Sequence, residues 1–176
     1  MKNTTVLALL LVAGSLVAAG AQSALDATQQ GQLKRLFPTA TAFSPKEGDP
    51  PHFSAFTGDP KSAAKTLVGL AFWTTELDPL ERGYDGPIKV LVGMDTRGVL
   101  TGIIVADHHE PYGNFSIDTP QFSAQFKNKS IRDPFKVGSD IDAVSRATIS
   151  VTTVSRSVRN TSRRVARQLL TAEPPK

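Results

Sequence analysis

Three segments of the chain carry the residues that favour β-strands. Thr66 to Thr75, Ile88 to Met94 and Val99 to Ala106 are rich in β-branched and aromatic side chains. In the first segment, apolar residues fall on both faces of an extended chain, with Leu67, Gly69, Ala71 and Trp73 on one face and Val68, Leu70 and Phe72 on the other. A strand that is apolar on both faces is covered on both sides. We therefore predict an antiparallel sheet in which this segment is central.

The last two strands are expected to form a hairpin. The four residues between them, Asp95 to Gly98, are a short polar stretch that ends in glycine, a composition that favours a tight turn with positive φ. By contrast, Ala42 to Pro51 is predicted to be a loop or an irregular edge rather than core, because its prolines and Gly48 stand among charged residues.

Helical periodicity occurs in three places. Leu25 to Phe37 predicts an amphipathic helix that ends before Pro38, and Thr119 to Phe126 predicts a short helix with proline at its first position. The strongest pattern runs from Ile149 to Leu170, where valines and leucines recur every three, four or seven residues. The other positions of this helix include Arg156, Arg159, Arg163, Arg164 and Arg167. The predicted fold class is therefore α+β, with helices packed on an antiparallel sheet and a long C-terminal helix.

The N-terminus has the form of an export signal. Lys2 is followed by an apolar run from Val6 to Ala19, and Ala19-Gly20-Ala21 matches the small-x-small pattern that signal peptidases cleave. A retained membrane anchor is the alternative, but the run is shorter than the roughly 20 apolar residues that span a bilayer. We expect residues 1–21 to be a signal peptide cleaved near Ala21, and residues 22–176 to form a single exported domain.

Composition excludes several kinds of function. The chain contains no cysteine, which excludes disulfides, iron–sulfur clusters and c-type haem attachment. Its formal net charge is +4, too small to indicate nucleic acid as a partner. The basic residues of the C-terminal helix are expected mainly to form a solvated face, and contact with anionic lipid or with an acidic partner is the alternative.

The segment Asp142 to Thr148 lies where the C-terminal helix begins. A helix start presents unpaired N–H groups and the positive end of the helix dipole, so it can hold a phosphate beside the hydroxyl of Thr148. An ordinary helix cap formed by Asp142 or Ser145 explains the same residue types. On these residues alone, both interpretations stay open.

Two further loops lie at the open end of the predicted hairpin. Gly83 to Pro87 enters one strand and His108 to Gly113 leaves the other, so the two loops are expected to share a site. Their glycines permit a close approach of the backbone to a ligand, and their tyrosines offer stacking faces. Adjacent residues on a strand point to opposite sides, so His108 and His109 are not expected to bind one metal. No catalytic set and no metal site is predicted.

Together these motifs resemble the FMN-binding domain family. The resemblance rests on residues 83–95, Arg97-Gly98, the strand Val99 to Ala106, the segment His108 to Pro111 and the motif Asp142 to Thr148. The resemblance covers about residues 33–153. Within the family, the chain is most similar to the periplasmic flavin domain of nitrous-oxide-reductase regulator proteins. Related domains occur in subunits of sodium-pumping quinone reductases and Rnf-type electron-transfer complexes.

The resemblance implies FMN as cofactor, attached to Thr148 through a phosphoester that an FAD:protein FMN transferase installs. The remaining cofactor-binding residues that it implies are Asp142, Ser145, Ala147, Glu110, Tyr112, Gly113 and Tyr84. Asp142 is expected to serve recognition or metal binding during transfer, and Ser145 to add a hydrogen bond. Arg146 departs from the family pattern, because many members have glycine at that position.

The resemblance further implies a periplasmic electron-transfer module that exchanges electrons with a membrane-bound redox partner and is not itself an enzyme. Association with the membrane surface through the basic helix is part of the same expectation. The alternatives are a redox-sensing domain, and a structural domain in which Arg146 prevents flavinylation.

Overall fold

A computed structural model describes residues 25–58 and 64–170. The predicted signal peptide, residues 1–21, lies outside this part of the chain. Within it, five antiparallel strands form one sheet in the order β1-β2-β3-β4-β5. The strands are β1 Ala42–Phe43, β2 Phe53–Thr57, β3 Thr66–Trp73, β4 Lys89–Asp95 and β5 Leu100–Asp107. The four α-helices are α1 Ala27–Leu36, α2 Thr74–Leu77, α3 Pro120–Ala124 and α4 Thr148–Val165.

The central position of β3 is confirmed, since it pairs with β2 on one side and β4 on the other. Its two faces enter different hydrophobic clusters. Leu70 and Phe72 pack in the cluster beneath α3 and α4, whereas Ala71 and Trp73 pack in the cluster beneath α1. Phe72 and Trp73 are therefore core residues. The sheet lies between two helical layers, and the fold is α+β as predicted.

The segment Ala42 to Pro51, predicted to be a loop or an irregular edge, contributes a short edge strand to the sheet. Ala42–Phe43 pairs with β2, and β2 itself has no strong alternating pattern in the sequence. A register shift between β2 and β3 at Ala55 and Phe56 also moves Val68. Its side chain packs with the α1 cluster and not on the face of Leu70. This irregularity interrupts the strict alternation of side chains between the two faces that was predicted for β3.

The β4–β5 hairpin forms the predicted turn. Gly98 has a φ of 77°, and the Asp95 carboxylate accepts the main-chain N–H groups of Arg97 and Val99, each at 2.9 Å. These bonds hold the pKa of Asp95 below its ordinary value, although burial acts in the opposite direction. The open end of the hairpin lies at the opposite end of β4 and β5 from this turn.

Helix α4 is the longest helix and packs its apolar face on the sheet. Val151, Val154, Val158 and Val165 are all fully buried in the larger cluster, and a wider π-helical turn continues the helix over Ala166–Leu170. The predicted helix is confirmed, with its start at Thr148. Among the helices of residues 25–58 and 64–170, none is long and apolar enough to cross a membrane.

The arginines of α4 have specific partners within the fold. Arg156 forms an ion pair with Glu81, Arg163 donates to the main-chain oxygen of Ile131 at 2.7 Å, and Arg164 donates to that of Leu77 at 2.9 Å. These contacts link α4 to earlier segments of the chain. The side chains therefore do more than form the solvated face that the sequence suggested. Contact with a membrane surface stays a prediction.

Candidate functional site

The two loops at the open end of the hairpin meet as predicted, and Glu110 joins them. The Glu110 side chain is buried, with 6% of its residue surface exposed. Its carboxylate accepts the main-chain N–H of Tyr84 at 3.1 Å and that of Asp85 at 2.9 Å. A loop that enters β4 is thus held against a loop that leaves β5.

Helix α4 is attached to the same carboxylate. The hydroxyl of Ser150, in the first turn of α4, donates a short hydrogen bond to Glu110. One turn further on, Thr153 donates to the main-chain oxygen of Arg82 at 3.0 Å. Burial raises the pKa of Glu110, but the bonds from Ser150, Asp85 and Tyr84 outweigh burial and hold that pKa below its ordinary value. Glu110 is therefore ionised at neutral pH and links three segments of the chain.

Two glycines allow this close packing. A Cβ at Gly83 would lie 2.4 Å from Oε1 of Glu110, and a Cβ at Gly113 would lie 2.2 Å from Cε1 of His108. Both distances are far below van der Waals contact. The glycines are therefore required by the walls of the site.

His108 supports Glu110 from behind. Its Nδ1 accepts the main-chain N–H of Glu110 at 3.0 Å, so its Nε2–H donates to Asp118 at 2.7 Å. His109 is exposed, and the Nδ1 atom of His52 lies 2.8 Å from the main-chain oxygen of Pro50. The three histidines thus occupy separate environments. In the described part of the chain, no group of three or more metal-ligating side chains comes together.

The start of α4 carries no side-chain cap. Ala147 occupies the N-cap position, and neither Asp142 nor Ser145 caps the helix, so the alternative that assigned them that role was wrong. The preceding residue, Arg146, has a φ of 68°, in the left-handed region that glycine adopts most readily. Because the backbone has a positive φ at this position, glycine would fit there without steric strain.

A cleft of about 520 Å³ opens beside this helix start. Its lining residues are Tyr84, Pro111, Tyr112, Arg146, Ala147, Thr148, Ile149 and Ser150. Thr148 is exposed, as are Tyr84, Tyr112 and Ile149. The cleft therefore combines a solvent-accessible hydroxyl with aromatic and aliphatic surfaces, at the end of a helix whose first N–H groups lack intrahelical acceptors.

The sequence-predicted residues take different places around this cleft. Tyr84, Tyr112, Ala147 and Thr148 line it, whereas Glu110 and Gly113 are buried in its supporting wall. Asp142 and Ser145 are outside its lining. The main-chain N–H of Asp142 donates to the side chain of Gln125 at 2.7 Å.

Four lining residues were not predicted as cofactor-binding, namely Pro111, Arg146, Ile149 and Ser150. Each is a neighbour in the sequence of a residue that was predicted. Pro111 lies between Glu110 and Tyr112, Arg146 directly precedes Ala147, and the other two directly follow Thr148 in the first turn of a helix. The hydrogen bond between Ser150 and Glu110 had no local signal, because the two residues are 40 positions apart.

Comparison with known proteins identifies the segment that builds this site. Residues 83–162, which include both loops and most of α4, match the model of the FMN-binding domain family. This segment is similar to the FMN-binding domain family. The family match supports FMN as its cofactor, and the resemblance stated from the sequence motifs is confirmed.

Two relatives share sequence with this chain. One is a subunit of the ion-translocating oxidoreductase complex of Vibrio vulnificus (strain YJ016), which is 33% identical over 89 residues, or 45% of this chain and 42% of the relative. The other is the regulatory protein NosR of Stutzerimonas stutzeri, which is 26% identical over 162 residues, or 86% of this chain and 21% of NosR. The chain therefore spans less than half the length of either relative.

The cleft fits FMN in volume and in chemistry. Its volume lies within the range of small-molecule sites, roughly 300–1,000 Å³. Tyr84 and Tyr112 offer faces for a flat aromatic ring, and the uncapped first turn of α4 offers N–H donors to a phosphate. Polar and aromatic groups are thus present where the two parts of the cofactor need them.

Proposed function

We propose that this protein is an exported electron-transfer module that carries FMN covalently on the hydroxyl of Thr148. Bound FMN would supply reversible one- and two-electron chemistry. The observation that carries the proposal is the position of Thr148: an exposed hydroxyl at the uncapped start of α4, inside an aromatic cleft of a segment that matches the FMN-binding domain family.

Attachment requires an FAD:protein FMN transferase and FAD as the donor. The Oγ of Thr148 would form a bond to the FMN-side phosphorus of FAD, while the bond from that phosphorus to AMP breaks. AMP leaves and the hydroxyl proton passes to solvent, so the reaction involves no net oxidation. The first-turn N–H groups of α4 would then donate hydrogen bonds to the negatively charged phosphoester.

Other residues would position the ring and not react. Tyr84 and Tyr112 offer stacking surfaces at the cleft mouth, and Ile149 contributes an apolar contact. Glu110 would act indirectly, by holding the Tyr84 loop and Ser150 in place. Covalent attachment keeps the cofactor at the site even where free flavin is dilute, which suits a periplasmic protein that serves a membrane-bound redox partner.

Intact-mass spectrometry tests the attachment. Co-expressed with a transferase, the chain should gain the mass of FMN less one water, and Thr148→Ala should lose both that mass and the yellow colour. Thr152→Ala removes a hydroxyl one turn further along α4 and should keep the modification. A wild-type chain that stays unmodified under these conditions would refute the proposal and favour a structural domain without flavin.

A further inference from the structure

A second groove runs along α4, away from the aromatic cleft. It has a volume of about 420 Å³ and lies between the helix and the loop 134–137. Its lining residues are Pro134, Phe135, Lys136, Val137, Thr152, Arg156, Arg159 and Arg163. Half of these eight side chains are cationic, namely Lys136, Arg156, Arg159 and Arg163.

The fold holds these cations in place without cancelling most of their charge. Arg163 donates to the main-chain oxygens of Ile131 and Asp133, at 2.7 and 2.8 Å, and Arg159 donates to the side-chain oxygen of Asn160 at 3.3 Å. These acceptors are neutral. Among the four cations of the groove, only Arg156 pairs with a carboxylate of the described residues, that of Glu81.

Nearby carboxylates are otherwise engaged with the loop itself. Asp133 accepts the main-chain N–H of Ser130 at 2.9 Å, and Asp140 pairs with Lys129 at 3.0 Å. Asp140 also accepts the main-chain N–H groups of Phe135 and Lys136. The groove therefore keeps an excess of positive charge.

This groove is connected to the start of α4. A smaller cleft, lined in part by Arg82, Thr148 and Thr152, lies between the two and shares Thr152 and Arg156 with the groove. Along the helix, Arg159 follows Thr148 by 11 residues, a rise of about 17 Å. The smaller cleft thus joins the groove to the aromatic cleft, with which it shares Thr148 and Ile149.

We propose that this basic groove is the docking site for an acidic segment of the protein that exchanges electrons with the flavin. The inference rests on the proposed electron-transfer function. Electron-transfer encounters have small interfaces, and complementary charge raises their association rates. The cations line a concave groove, which a carboxylate side chain can enter but which a flat lipid surface meets only at its rim.

A charge-reversal pair tests the groove. Lys136→Glu with Arg159→Glu places two acids in it, while Arg35→Glu with Lys127→Glu makes the same change of net charge in a separate cleft beside β5. All four side chains lie at the surface, and neither Lys136 nor Lys127 is part of the core. The probe is a short fluorescein-labelled glutamate-rich peptide, whose binding is followed by fluorescence anisotropy.

At low salt, reversal in the groove should weaken peptide binding about tenfold or more, and the control pair should change it less than about threefold. Raising the ionic strength to about 0.15 M should reduce the difference. Equal losses in the two pairs would overturn the proposal. The same holds if groove reversal abolishes binding to vesicles of anionic lipid but leaves peptide binding unchanged, because the surface would then serve a membrane.

A second measurement uses the flavinylated protein. Groove reversal should slow reoxidation of the reduced flavin by a small acidic electron-transfer protein, with the rate by molecular oxygen unchanged. If the intact mass shows no FMN, the proposed function fails, yet the peptide measurement still decides the groove. The two failures are therefore distinguishable.

Discussion

Replacing Glu110 by glutamine tests the hydrogen-bond network that builds the cleft wall. The substitution preserves size but removes the charge, and it converts one acceptor oxygen into an N–H₂ donor. Oε2 of Glu110 accepts from Tyr84 and Ser150, and Oε1 accepts from Asp85. In either orientation of the amide, one main-chain N–H therefore faces a donor. The hydroxyl of Ser150 can rotate, but the two main-chain groups cannot.

The expected cost follows from these contacts. Hydrogen bonds to a charged acceptor contribute about 1.5–3 kcal/mol each, and a buried donor without an acceptor costs about 1–3 kcal/mol. Allowing for partial relaxation, Glu110→Gln should lower the free energy of unfolding by about 2–3 kcal/mol. For a chain of this size, the melting temperature should fall by about 5–10 °C.

The effect of pH has a definite sign. The pKa of Glu110 in the folded protein lies below its ordinary value of 4.5, so the carboxylate stabilises the fold at pH values above that ordinary value. This contribution is lost as the pH falls through the folded-state pKa. The difference in stability between wild type and Glu110→Gln should therefore be constant near neutral pH and shrink below about pH 4.5.

Thermal and urea unfolding of the protein, followed by circular dichroism, measure both effects. Glu47→Gln removes an exposed carboxylate and serves as the matched control, with an expected change below about 0.5 kcal/mol. Ser150→Ala should destabilise by about 1 kcal/mol and combine non-additively with Glu110→Gln. A melting temperature of Glu110→Gln equal to that of wild type at neutral pH would refute the network argument.

Three further tests concern neighbouring features of the fold. Gly83→Ala should destabilise the fold by about 1–3 kcal/mol, because the added Cβ would displace the Glu110 carboxylate. The control Gly31→Ala, in open space on α1, should stabilise the fold by about 0.5–1 kcal/mol. Equal melting temperatures of the two variants would contradict this. Arg146→Val should be less stable than Arg146→Gly by about 1–2 kcal/mol in urea unfolding, because a β-branched residue tolerates a φ of 68° poorly; the reverse order would show that the turn relaxes. Glu81→Gln removes the partly exposed ion pair to Arg156 and should cost less than about 1 kcal/mol in the same assay, so a larger loss would mean that the pair anchors α4.

Local patterns in the sequence predicted much of the architecture. The hairpin, the central strand and the long helix each follow from the spacing of apolar residues or from turn chemistry within a few positions. The strand Phe53–Thr57 escaped prediction because its burial comes from pairing with β3 and not from alternation of its own. The bulge that moves Val68 likewise depends on the register between two strands.

The site shows the same division. The order of the motifs around Tyr84, His108 and Thr148 was sufficient to indicate the FMN-binding domain family and FMN, a result that the comparison confirmed. The roles of individual residues were less accessible. Sequence placed Glu110 among the flavin contacts, whereas the fold buries it in the wall behind the cleft, and a direct flavin contact by this residue stays untested.

The sequence by itself determined the central strand, the turn between β4 and β5 and the long helix, because each is encoded in a short run of residues. Its motifs also indicated FMN through their resemblance to a known family. Only the tertiary structure decided which distant groups meet. Glu110 contacts residues 25, 26 and 40 positions away, and the arginines of α4 bind carbonyl groups of loops that precede them by 30 or more residues. The partners of buried polar groups depend on how the elements pack, and periodicity along the chain carries no record of that packing.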